Sequence, residues 1–92
     1  MLNPISDRDN SFMETVEVRF FGAARAAAKT NQITVGSATL QEILTTCIAD
    51  YPDLGRVIPQ CSFLVDGVAN HDRGLMINDG SQIDVLPKFA GG

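Results

Sequence analysis

From position 15 to 21 the chain alternates strictly: Val16, Val18 and Phe20 fall on one face, Glu17, Arg19 and Phe21 on the other. A period of two is that of a strand with one buried face, and Phe21 is the residue that breaks its polar outer row. Gly22 ends the strand. The alanine-rich stretch 23–29 predicts a short helical turn before Thr30-Asn31. Gln32-Ile33-Thr34-Val35, β-branched and closed by Gly36-Ser37, predicts a second strand antiparallel to the first.

Thr39-Leu40-Gln41-Glu42 then reads as a capping box, the Thr39 hydroxyl accepting the Glu42 amide while the Glu42 carboxylate returns to the Thr39 amide. The helix it starts carries Leu40, Ile43, Leu44, Cys47, Ile48 and Tyr51 at a spacing of three and four, one stripe about three turns long that Pro52 stops. Such a stripe needs a sheet to lie on, since each of its large side chains gains roughly 1.5–3 kcal/mol on burial. Residues 53–59 read as a connector with one irregular turn. A strand over 60–65 follows with Cys61, Phe63 and Val65 on one face and Leu64 on the other, and Asp66-Gly67 signals a tight turn. Val68-Ala69 predicts a brief strand, and Leu75-Met76-Ile77, beyond the polar loop that holds His71, is one more short apolar segment. After the turn at 78–81 the last strand, 82–87, points Ile83 and Val85 inward, leaving Asp84 and Leu86 outward. Pro87 has no amide to donate, so pairing is expected to fade there and release residues 88–92 as a flexible tail.

Composition narrows what this arrangement does. Ninety-two residues with 45% hydrophobic and 20% charged side chains suit one small domain. A net charge of −4 speaks against a nucleic-acid partner, which requires clustered Lys and Arg. Apolar runs fall far short of the roughly 20 residues that span a bilayer, so the expectation is a cytoplasmic protein without a membrane partner. Two cysteines make neither a disulfide framework nor a zinc or iron–sulfur site; Cys47 lies in the helix stripe and Cys61 in a strand's inward row, so both read as core. His71 has no second histidine or cysteine near it in the sequence and reads as a solvated loop residue. Residues 1–13 show little periodicity and are expected to be a disordered extension, with Met13 a second place where translation can start.

The remaining feature is Phe89-Ala90-Gly91-Gly92. Two glycines contribute little to a core, and a Gly92 carboxylate is either a reactive group or a frayed end. The order strand, strand, helix, strand, short strand, strand indicates an α+β sheet with its helix on one face. Together with VEVRFFGAAR at 16–25, the capped helix, NDGSQIDVLP at 78–87 and the closing FAGG, it resembles the MoaD/ThiS family of ubiquitin-like sulfur carriers, above all its molybdopterin-synthase branch. The resemblance covers residues 14–92 and departs from the family at Lys88, where relatives often carry a second proline, and in the extension.

That resemblance implies a ubiquitin-like β-grasp at 14–87, a mixed sheet of four to five strands on one main helix, with first and last strands adjacent and the third against the last. Phe21, Leu64 and Leu86 would then stand in a row on the face away from the helix, either as a partner-binding patch or as apolar side chains isolated or covered by loops. The family also implies that the chain catalyses nothing itself and binds no cofactor. A ubiquitin-activating-enzyme-like adenylyltransferase uses ATP to convert the Gly92 carboxylate to an acyl-adenylate, and a sulfur donor protein supplies the sulfur of a Gly92 thiocarboxylate. Phe89, Ala90 and Gly91 thread the partner's active site, the five tail residues reaching about 17 Å. The implied partner is the large subunit of molybdopterin synthase. Carriers serving thiazole, cysteine or transfer-RNA thiolation share fold and tail, and a protein modifier or plain interaction module remains open beside them.

Overall fold

The computed structural model describes residues 15–88. Strand β1 (Thr15–Phe20) and helix α1 (Gly22–Ala28) are followed by β2 (Gln32–Gly36), β3 (Ala38–Thr39) and helix α2 (Leu40–Asp50). A short helix α3 (Leu54–Val57) runs into a 3₁₀ turn (Ile58–Gln60), and β4 (Cys61–Val65), β5 (Val68–Ala69), β6 (Met76–Ile77) and β7 (Gln82–Pro87) complete the order. Five strands form one mixed sheet in the order β2-β1-β7-β4-β5, while β3 and β6 pair separately. The central pair, β1 and β7, is parallel; β2 and β4 flank it antiparallel. With the helices on one face, this is the ubiquitin-like β-grasp.

Period-two patterning decides which face is covered. Val16, Val18 and Phe20 of β1, Ile83 and Val85 of β7 and Phe63 of β4 are buried against Leu40, Ile43, Leu44 and Cys47 of α2. The capping box forms as its sequence requires, Glu42 N donating to Thr39 Oγ1 at 3.2 Å and Thr39 N to Glu42 Oε1 at 3.0 Å. The Asp66-Gly67 turn has φ of 51° and 84°, the doubly positive pair of a two-residue hairpin, which glycine accepts without strain.

Three expectations are corrected. The stretch after β1 is a full α-helix whose Ala24 and Ala28 are buried, not a single turn; small side chains let it lie close to the sheet. The connector at 53–59 is two helical pieces, held by burial of Leu54 and Ile58. Pairing also outlasts Pro87: Cys61 still pairs with Pro87, and Lys88 N donates to Gln60 O at 2.9 Å. Backbone groups alternate sides along β7. Val85 O accepts from Phe21 N of the β1 side, so Pro87, two residues on, directs its missing donor there as well, where β1 has already turned into α1. The amide of Lys88 faces β4 and is free to bond.

Candidate functional site

The face of the sheet away from the helices is built on the two central strands. Parallel pairing sets Glu17 opposite Gln82 and Arg19 opposite Asp84, and antiparallel pairing sets Leu64 opposite Asp84 and Ser62 opposite Leu86. Phe21, one residue beyond the Phe20–Val85 pair, comes level with Leu86. The three apolar residues expected in a row therefore share the face but not one rung: Phe21 and Leu86 stand abreast at the end where β7 leaves the sheet, and Leu64 sits diagonally, beside Asp84. All three are half-buried.

The residue between them was not singled out by sequence reasoning. Asp84 is 8% exposed although it lies on the outer face. Arg19 accounts for this with a two-pronged grip, Nε to Oδ1 at 2.9 Å and Nη2 to Oδ2 at 3.2 Å. The same guanidinium lies 5.6 Å from the centre of the Phe21 ring, so one cation spans the acid and the aromatic. Its hydrogen bond to Asp84 raises the Arg19 pKa further above its ordinary value. Gln82 joins the row, its amide nitrogen donating to Glu17 Oε1 at 3.1 Å and its oxygen accepting from Arg19 Nη2 at 3.0 Å. Gln32 Nε2 donates to Glu17 Oε2 at 2.6 Å and closes the row at β2. The outer face is thus a polar strip ending in an apolar corner. The signal that could have found it was the opposite charge of Arg19 and Asp84 on outward positions of adjacent strands, but only the register makes them partners.

That corner adjoins the root of the tail. Gly22, at φ +51°, turns the chain from β1 into α1, and a Cβ built there would lie 3.7 Å from Pro87 Cγ. On the helix side, an open groove of about 510 Å³ runs between α1 and α3, with Ala23, Ala26, Ala27 and Val57 along it and Pro87 and Lys88 at its end. The predicted tail residues Phe89, Ala90, Gly91 and Gly92, and the extension over 1–13, lie outside the described residues.

Neither cysteine is poised for reaction. Burial, helped by Asp50, pushes the Cys47 thiol up to about 11. Burial also raises Cys61, whose Sγ donates to Val57 O at 3.2 Å. Among the described residues, no three His, Cys, Asp or Glu side chains gather into a metal site. No described helix is long and apolar enough to cross a membrane.

Comparison with known proteins agrees with this architecture. The ThiS family model matches residues 18–92. Small archaeal modifier protein 1 from Methanosarcina acetivorans superposes with a TM-score of 0.74 at 26% identity, covering 87% of this chain and 98% of its own. A putative molybdopterin converting factor subunit 1 from Pyrococcus furiosus gives a TM-score of 0.74 at 14% identity, covering 83% and 99%. One chain of a complex of subunits 1 and 2 of the molybdopterin-converting factor from Helicobacter pylori gives a TM-score of 0.65 at 24% identity, covering 85% of this chain and 99% of its own. Comparison with the curated proteins finds no match. With a family match over most of the chain, the β-grasp order of its strands and a sheet that delivers β7 to an apolar corner, the chain belongs to the ThiS family of ubiquitin-like sulfur carriers.

Proposed function

We propose that this chain carries sulfur for molybdopterin synthesis as the small subunit of a two-subunit synthase, with Gly92 as the carrying residue. The observation that carries the reading is the extent of the family match, which runs through the Gly91-Gly92 tail and not only the folded domain. A carboxylate is a poor electrophile, so Gly92 must first be activated. An adenylyltransferase partner joins its oxygen to the α-phosphorus of ATP and releases pyrophosphate. Hydrosulfide delivered by a donor protein then attacks the carbonyl carbon, the new C–S bond forming as the C–O bond to AMP breaks, and loss of the S–H proton leaves a thiocarboxylate. Within the large subunit this thiocarboxylate donates sulfur to a pterin precursor.

The carrier's own contribution is geometry. Hydrogen bonding holds the root of the tail through Lys88. Four further residues reach about 14 Å at full extension, enough to enter a covered site. Phe21, Leu64 and Leu86 supply the apolar part of the partner surface on the outer face, and Arg19 with Asp84 supplies its polar part. The Helicobacter complex of subunits 1 and 2 favours a large-subunit partner.

The similarity to an archaeal modifier at 26% identity favours a second reading, in which Gly92 is joined to a lysine amine of another protein. One experiment separates the two. The chain is incubated with its activating enzyme, ATP and a sulfur donor, then with the large subunit and precursor, and followed by mass spectrometry. Oxygen-to-sulfur exchange at Gly92 and restored molybdopterin formation are expected, both lost on deleting Gly92. A lysine-linked product without exchange would transfer the assignment to the modifier reading.

A further inference from the structure

We infer that a second pocket beside the tail root is a binding site for a phosphoryl oxyanion. It encloses about 260 Å³ and is lined by residues from three separate parts of the chain: Cys61, Ser62 and Phe63 of β4, the 70–73 loop, and Lys88. Every ionisable group lining it other than the Cys61 thiol is a basic side chain: His71, Arg73 and Lys88. This concentration is unusual for the composition, since Lys and Arg together number only 7 in a chain of net charge −4. No carboxylate lines the pocket, and among the described residues neither Arg73 nor Lys88 is in an ion pair. Asp72, the acid nearest in sequence, turns its Oδ1 onto Gly74 N at 2.9 Å.

The guanidinium of Arg73 is held in place. Its carbon lies 5.2 Å from the centre of the Phe63 ring, and Nη1 donates to Gln41 Oε1 at 3.1 Å. These contacts fix its orientation and leave its charge unneutralised. The loop around it is ordered by Asn70, whose Nδ2 donates to Asp72 O at 3.0 Å and whose Oδ1 accepts from Asp72 N at 3.3 Å. A concave site of one charge sign focuses its field on an incoming counter-ion, and a planar guanidinium beside an ammonium suits the oxygens of a phosphate. The Ser62 and Asn70 side chains add neutral donor capacity at the wall.

The position of Lys88 gives the site its use, which rests on the carrier reading: Gly92 is only four positions further along the chain, so a phosphoryl group held here is within reach of the activated tail. Two sources share that chemistry, the adenylate formed on activation and a phosphorylated sulfur acceptor. Binding itself depends on neither partner and can be measured on the chain alone. Backbone and arginine side-chain NMR signals are followed during titration with inorganic phosphate and with AMP at constant ionic strength. Saturable shifts are expected at Ser62, Phe63, the 70–73 loop and Lys88, with affinity reduced at least five-fold in the Arg73→Gln/Lys88→Gln double variant. Lys88→Gln alone is expected to weaken binding while leaving the Phe63–Arg73 contact intact, and Arg25→Gln, which removes a charge outside the pocket, is expected to leave it unchanged. Tighter binding of AMP than of phosphate would identify the adenylate as the source, and equal binding the acceptor's phosphoryl group. Absence of saturable shifts at these residues, or equal loss in the Arg25→Gln variant, overturns the site without touching the thiocarboxylate assignment.

Discussion

Asp84 shows how much a single residue on this face depends on its neighbour. A carboxylate that is 8% exposed is tolerable only when its oxygens are satisfied, and Arg19 satisfies both. The two partners are not equivalent, because the Arg19 side chain is 40% exposed and retains access to water, whereas that of Asp84 is 11% exposed. Arg19→Ala should therefore lower the urea midpoint more than Asp84→Ala, since it strands the buried acid; the reverse order would show that the pair's role is not to satisfy Asp84. Cys47 gives a pH prediction. Its thiol ionises near 9.0 when unperturbed and near about 11 in the fold. Between these values the folded state holds the proton that the unfolded chain has released, so stability is complete below pH 9 and declines as pH rises toward 11, by on the order of 2 kcal/mol. Urea titrations across that window should show the decline, and Cys47→Ala should reduce it, leaving the smaller slope expected from the half-buried Cys61 thiol.

At the scale of elements, local signals and tertiary ones separate cleanly. Helix α2 was legible because its stripe and its capping box are encoded within a dozen neighbouring residues. Thr39→Ala removes a hydroxyl that accepts the Glu42 amide and should cost about 1 kcal/mol in unfolding experiments, with Thr39→Ser retaining most of it. A loss near zero would mean the cap is replaced by water at no cost. Helix α3 was not legible as a helix. It spans Leu54–Val57, too short for periodicity, and it is held by burial of Leu54 and Ile58 in the shared core. The β3–β6 pair was missed for the same reason: two-residue strands carry no pattern, and only closure of the fold sets Ala38 opposite Ile77.

For the whole molecule, the apolar corner where β7 leaves the sheet is the feature to test. Leu86→Asp and Phe21→Asp should each weaken binding to the proposed large-subunit partner at least ten-fold, about 1.4 kcal/mol, in a titration that also shows the fold retained. Val68→Asp, at a 68% exposed position on the edge strand β5, should leave binding unchanged. Unaltered affinity in both corner variants would remove this face from the interface.

The sequence by itself determined the order of the longer strands around the capped helix α2, the inward residues of each central strand and the presence of three outward apolar residues, Phe21, Leu64 and Leu86. All of these follow from periods of two and 3.6 and from local hydrogen-bonding chemistry, which need no knowledge of distant partners. Tertiary structure decided what lies beside what. Parallel register brought Arg19 to Asp84 across 65 positions, antiparallel register put Leu64 beside that acid instead of beside Leu86, and closure of the sheet gathered Arg73, His71 and Lys88 around one pocket. A one-residue slip in pairing would reverse every facing, and nothing within a single strand specifies its register; the shared core does.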